Sequence, residues 1–380
     1  MKVKSLCTWV VVGMLSFSVT CSAGAESLQG GDLINPNMSK SDNAILSKII
    51  NSLDPEDREN VTYIDQTGKV FVNKESLRKE VIPLEPVSQV TYKDTKSSLP
   101  SVSQDTYKRS ESSSLSVTQN TYKDSMGQIY TFPVLQPKPD CMVGNHPTST
   151  PMDFSTNSAS FPVCRDLRNG VYRGVYSHIG FAWAMTRIHL PSKKEIYENP
   201  SKYTGSTGFV YMGGWSNTNN AVDAGLQHSP KYNDWAPFLL IEGNGGPLTF
   251  TPRFEGDQDI QMKFYVPSDG VVALVISGND ISGTKVTKTY AEAASGWTAT
   301  GNGNLIKRMT NMAQIQNHED YRDGSYIKNV AWYGSFIGSS SGDNIPWRGS
   351  QTYGFCSSPR NKVFIDFVHA GTETIDIILE

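Results

Sequence analysis

From Gly127 to Glu380 apolar residues recur at every second position in short runs, and hardly any run keeps a helical period. The clearest case is "DIQMKFYVPSDGVVALVISG". Met262, Phe264 and Val266 fall on one face, Pro267-Ser268-Asp269-Gly270 makes a turn, and Val271, Ala273 and Val275 return on the other arm. "TGFVYMGGW", "NAVDAGLQ", "YIKNVAWYGSFIG", "NKVFIDFVHA" and "TETIDIILE" alternate in the same way. "NLIKRMTNMAQIQ" fits either a strand or a helix period and is read as a strand because its neighbours are strands. Short alternating strands over 127–380 predict an all-β domain, a double-layered antiparallel sandwich of jelly-roll type. A closed barrel needs the same alternation, and two smaller sandwiches with a break near Gly256 are a further alternative.

Upstream the pattern changes three times. Residues 1–25 read as an export leader: Lys2 and Lys4, an apolar run over 6–19, then Ala23-Gly24-Ala25 as a small-x-small cleavage site. The run is too short for a membrane span. Lipidation at Cys21 competes, but Thr20 is a poor residue before a lipidated cysteine. The expected location is therefore extracellular or cell-wall associated. Residues 26–85 are expected to hold a small helix and a hairpin. In "SDNAILSKIINSL" Ser41, Asp42 and Asn43 are N-cap candidates, and Ile45, Ile49 and Leu53 recur at helical spacing. "VTYIDQTGKVFVN" alternates around a Thr-Gly turn. Residues 86–126 hold three copies of one motif, "VSQVTYKD", "VSQDTYKR" and "VTQNTYKD", with Tyr92, Tyr107 and Tyr122 in equivalent positions. Each copy has one large aromatic residue to offset its ordering entropy, so the stretch is expected to be a disordered linker. A Tyr-Lys docking motif for a wall polymer or a partner is the alternative.

Charge and cysteine content narrow the classes. The formal net charge is −3, with 34 basic and 37 acidic residues, which gives no electrostatic footprint for nucleic acid. After the leader three cysteines remain, Cys141, Cys164 and Cys356. One disulfide among three pairings is expected, and Cys141–Cys164 is favoured because it would restrain a loop-like segment; three free thiols are the alternative. The six histidines lack metal-ligand spacing. Asp280 and Asp343 sit in loops that read as turns rather than calcium sites. No metal or cofactor is implied, and the sequence does not specify an oligomeric state.

The densest polar and aromatic stretch is "GGWSNTNNAVDAGLQHSPKYNDW", 213–235. Val222, Ala224 and Leu226 form one face of a strand, and Asp223, Gly225 and Gln227 the other. If that second face lines a solvated hollow, Trp215, Asp223, Gln227, Tyr232 and Trp235 are candidate glycan contacts: flat rings for sugar faces, planar amide and carboxylate groups for hydroxyls. The plain alternative makes Trp215 and Trp235 core residues and Asp223 a turn cap. Two enzymatic alternatives remain. Hydrolysis would pair Asp223 with Glu242 across the bond, and β-elimination would use His228, Tyr232, Gln227 and Arg308. "GGWSNTNNAVDAGLQHSPKYNDWAPFL", the "VPSDGVVALVISG" hairpin, "NLIKRMTNMAQ" and "KVFIDFVHAGTETIDIIL" resemble the YrpD-like secreted proteins of Bacillus-type bacteria. The resemblance covers roughly 127–380. It implies a jelly roll similar to concanavalin A-like lectins and glucanases, and it carries neither an activity nor a catalytic residue. The leading expectation is a secreted β-sandwich that binds a polysaccharide or cell-wall glycan on a concave face. A glucanase or polysaccharide lyase on that face, and a matrix or adhesion protein acting through its tyrosine repeats, are the alternatives.

Overall fold

The structure is a computed structural model that describes residues 34–86, most of 121–135, 170–199, 206–313 and 322–380 apart from 341 and 342. Two large sheets carry the fold. Sheet I has eleven strands. Its path runs β2 (Val70–Val72), β1 (Val61–Ile64), β16 (Lys285–Ala293), β15 (Val271–Asn279), β14 (Gln258–Ser268), β8 (Trp183–Leu190), β18 (Tyr326–Gly338), β22 (Thr372–Ile378) and β21 (Val363–His369). β9 (Ile196–Tyr197) and β19 (Ile345–Pro346) also pair with β18. Sheet II has eight strands, in the order β20 (Thr352–Ser358), β7 (Gly170–Ile179), β17 (Leu305–Ala313), β10 (Thr207–Trp215), β11 (Ala221–Ser229), β12 (Asp234–Ile241), β13 (Leu248–Phe250) and β3 (Val81–Ile82). A small third sheet joins β4 (Glu85–Pro86), β5 (Thr121–Lys123) and β6 (Ile129–Thr131).

The period-2 pattern explains the layering. Val210, Met212, Val222, Ala224 and Leu226 of sheet II share one core with Ile188, Ile260, Met262, Phe264 and Leu274 of sheet I. These residues alternate along their strands, so each strand turns one face inward. The fold is an all-β two-layered sandwich, as the alternation predicts. β14 and β15 form the expected hairpin with Ser268 opposite Val271, and "LIKRMTNMA" of the ambiguous stretch is the strand β17. A buried charge cluster ties the layers together. Glu373 of β22 receives Arg173 of β7 at 2.8 Å and Arg308 of β17 at 2.9 Å. Two guanidinium groups hold the Glu373 carboxyl below its ordinary range despite burial, and burial lowers the Arg308 pKa to about 10.

The helix-and-hairpin segment is part of sheet I. β1 pairs in parallel with β16, and β2 pairs with β1. The helix α1 (Lys40–Ser52) packs Leu46, Ile49 and Ile50 over Trp183, Tyr265, Ala273 and Val275 on the outer face of sheet I. Its cap is Ser39, whose side chain accepts the Asp42 N–H. Asn43 is instead buried and bonds the Asn35 backbone; of the predicted stripe Ile49 and Leu53 are buried, while Ile45 is 44% exposed and Leu46 takes the inward position beside it. Of the 86–126 stretch, 87–120 lie outside the described residues, while Thr121–Lys123 is a strand. Cys356 is disulfide-bonded. This differs from the favoured Cys141–Cys164 pairing, which left Cys356 free; Cys141 and Cys164 lie outside the described residues.

Candidate functional site

The predicted sidedness of β11 is correct, but its polar face is closed. Asp223, Gly225 and Gln227 do point away from the inter-sheet core, alongside Tyr211 and Trp215 of β10, Lys307 of β17 and Tyr176 of β7. Yet Trp215, Asp223, Gln227 and Lys307 are all 0% exposed. Tyr130 and Phe132 pack on this face with Phe209 and Phe238. None of the four is available to a ligand from solvent. Trp235 belongs to the opposite face, where it meets His228 edge-to-face at 5.2 Å in the inter-sheet core. Tyr232 sits in the turn after β11, 36% exposed, under the Arg253 guanidinium. The five predicted contacts therefore divide among a sealed face, the inner core and a surface turn.

The glycines explain the closure. Gly213 and Gly214 have φ of 141° and 144°, and a Cβ on either would lie 2.0 or 1.8 Å from a carbonyl oxygen of the neighbouring strand. Only glycine fits that backbone approach, so the Gly-Gly pair serves strand packing rather than a ligand. Gly225 faces Tyr211, whose Cβ would lie 2.6 Å from any added Cβ. The room it leaves is filled by that tyrosine, not by a sugar ring.

At the centre of the sealed face Lys307 Nζ lies 2.6 Å from Asp223 Oδ1 and 4.4 Å from the Trp215 ring centroid. Burial pushes the Asp223 carboxyl above its usual range, and the ammonium beside it opposes that shift. Gln227 Nε2 donates to Thr249 Oγ1 at 2.8 Å, while its Oε1 has no partner among the described residues. A buried pair of this kind loses much of its Coulombic gain to desolvation and is costly to break on one side only.

The two enzymatic constellations are dispersed. Glu242 does not face Asp223; its Oε2 accepts the Ala221 N–H at 3.0 Å at the strand end. His228 bonds Glu198 at 3.0 Å between the sheets, and Arg308 is committed to Glu373. Arg253 pairs with Asp234 at 2.5 Å. Asp280 and Asp343 accept bonds from their own turns. Among the described residues no group of three or more His, Cys, Asp or Glu is placed to hold a metal ion.

An open depression lies elsewhere, on the part of the outer face of sheet I that α1 leaves uncovered. It is a groove of about 630 Å³. Cross-strand register places Gln261, Arg187 and Tyr333 side by side across β14, β8 and β18. The Arg187 guanidinium lies 5.1 Å from the Tyr333 ring centroid and 3.4 Å from Asp259 Oδ2. Asp259 also meets His189 at 3.0 Å. Gln258 spans to Asn279, donating to its carbonyl at 2.7 Å and accepting its N–H at 2.9 Å. The sequence carries a signal for this row, since Met185, Arg187 and His189 alternate with buried Ala184, Thr186 and Ile188. The signal is weaker than that of 213–235 because its residues come from three separated strands.

No family model matches the chain. A 149-residue stretch is 24% identical to "Uncharacterized protein YrpD" of Bacillus subtilis (strain 168), covering 35% of this chain and 60% of that protein. The match thus spans less than two thirds of the curated relative. Solved structures with some likeness include Scytalido-glutamic peptidase bound to a peptide-based transition state analog, at 12% identity and TM-score 0.39 over 54% of this chain and 97% of that one. SCP-B of the eqolisin peptidases, in complex with a tripeptide, gives 12% identity and TM-score 0.37 over 54% and 97%. At these levels no activity carries across, and the chain is described as a two-layered all-β protein distantly similar to YrpD.

Proposed function

We propose that this chain is an exported β-sandwich protein that binds glycan in the open groove of sheet I. The observation that carries the reading is the groove itself: exposed Gln261 and Arg187 and half-buried Tyr333 set an amide, a guanidinium and an aromatic ring in one row. Planar hydrogen-bonding groups match sugar hydroxyls, and a ring edge or face offers an apolar contact for a pyranose. Arg187 pairs with Asp259, and Lys285 adds a further cation at the groove, so the lining does not discriminate against acidic sugars. The N-terminal leader pattern supports export, and no helix among the described residues is long and apolar enough to cross a membrane.

The test is a glycan array and a wall-polysaccharide retention assay with the full chain. Tyr333→Ala and Gln261→Ala should each weaken retention about tenfold or more with the melting temperature unchanged. Trp215→Phe, on the sealed face, should leave retention as it was. Wild-type protein that retains on no glycan would end the reading, and unchanged retention in both groove variants would end the site assignment.

A further inference from the structure

The third tyrosine repeat has a built seat. Thr121–Lys123 is the middle strand of the small sheet, paired on one side with Glu85–Pro86 and on the other with Ile129–Thr131. Thr121 is buried, and the Tyr122 ring meets buried Phe132 edge-to-face at 5.7 Å. Phe132 in turn lies against Phe209 and Phe238 of sheet II at 5.6 and 5.7 Å. Gly246 borders the Tyr122 ring, and even a Cβ there would stand at 3.4 Å, an ordinary packing distance. Lys123 points to solvent. The seat therefore engages one threonine, one tyrosine ring and two strands of backbone.

Those features are the ones the repeats share. Thr106-Tyr107-Lys108 and Thr91-Tyr92-Lys93 repeat the seated tripeptide, while the preceding residue varies as Asn120, Asp105 and Val90. We propose that Thr106–Lys108 is an alternative occupant of this seat, exchanging in register with Thr121–Lys123 within one chain. Exchange forms the same Thr and Tyr contacts and the same backbone ladder. What changes is chain length on either side. The connection before the strand shortens from 87–120 to 87–105, and the one after it lengthens from 124–128 to 109–128. Each doubling of a loop lowers its closure probability about threefold, so the opposing changes keep the two registers within about tenfold of each other. A spare copy tethered to the same chain is present at high effective concentration, which favours exchange within the chain over capture from a neighbour. The repeats then act as an adjustable tether: one motif-length of chain passes from one side of the strand to the other while the seat stays filled.

Disulfide trapping in the full chain tests this. Glu85→Cys with Lys123→Cys reports the register seen here, because Glu85 faces Lys123. Glu85→Cys with Lys108→Cys reports the exchanged register, and Glu85→Cys with Ser113→Cys controls for chance encounter. Peptide mapping after oxidation should show the Lys108→Cys link severalfold above the Ser113→Cys control. It should rise at least a further threefold when Tyr122→Ser vacates the seat. A Lys108→Cys link no greater than the control in both backgrounds overturns the proposal. So does a Lys123→Cys pair that fails to link, or a Lys108→Cys link found only in disulfide-joined dimers.

Discussion

The outer faces of the two sheets are built from the same alternating pattern and end in opposite states. On sheet II, β10, β11, β12 and β17 bury every residue, polar ones included. On sheet I, α1 covers one end and the rest stays open, so β14 and β22 show a buried-exposed or buried-intermediate rhythm. Alternation in a sequence thus reports which way a side chain turns. Whether that side meets solvent depends on what the rest of the chain lays over it, and that is a tertiary fact.

The contrast can be broken most sharply at its charges. Lys307→Ala leaves the Asp223 carboxylate buried without its cation, and should cost about 3–5 kcal/mol in chemical denaturation. Replacing both partners, Lys307→Met with Asp223→Leu, should recover most of that loss. Leu46→Ala, which empties part of the cover over sheet I, should cost about 2–5 kcal/mol by the same measurement. Glu292, between the sheets, has its pKa pushed up to about 7 by burial, against which the Asn244 amide at 2.8 Å is too weak. A carboxyl raised in the folded state binds more protons there than in the unfolded chain. Stability should therefore fall as pH rises from about 4.5 to about 7, by roughly 3 kcal/mol in all, and Glu292→Gln should flatten that slope. Glu373 has the opposite sign: its lowered pKa contributes stability above the ordinary glutamate range, lost as pH falls through its folded value. The smallest effect belongs to the open groove. Arg187→Ala removes a solvent-screened pair with Asp259 and an exposed guanidinium contact on the Tyr333 ring, and should change stability by about 0–1 kcal/mol while weakening glycan retention.

Much of the fold was legible in the sequence. The β14–β15 hairpin, the β1–β2 hairpin and the face assignment of β11 all follow from period-2 alternation and turn residues. The helix was legible, with Ile49 and Leu53 buried as their spacing predicts; Ile45 was misassigned and the cap lies at Ser39, because Asn43 is drawn inward by Asn35 and Leu46 turns to the core. The site was much less so. Asp223 and Gln227 looked like a solvated floor because an acid and an amide alternate with apolar residues. Lys307, which makes the acid tolerable in a closed layer, lies far along the chain and pairs only once β10 brings β11 and β17 together. The groove has the same cause in reverse, since Gln261, Arg187 and Tyr333 become neighbours through strand register alone.

The central claim, one outer face sealed and the other open, is tested most directly by lysine acylation of the native chain followed by mass spectrometry. Lys285, exposed at the groove, should modify rapidly, and Lys307 should stay unmodified until denaturant unfolds the protein. Acylation of Lys307 at a rate comparable to Lys285 under native conditions would contradict the account.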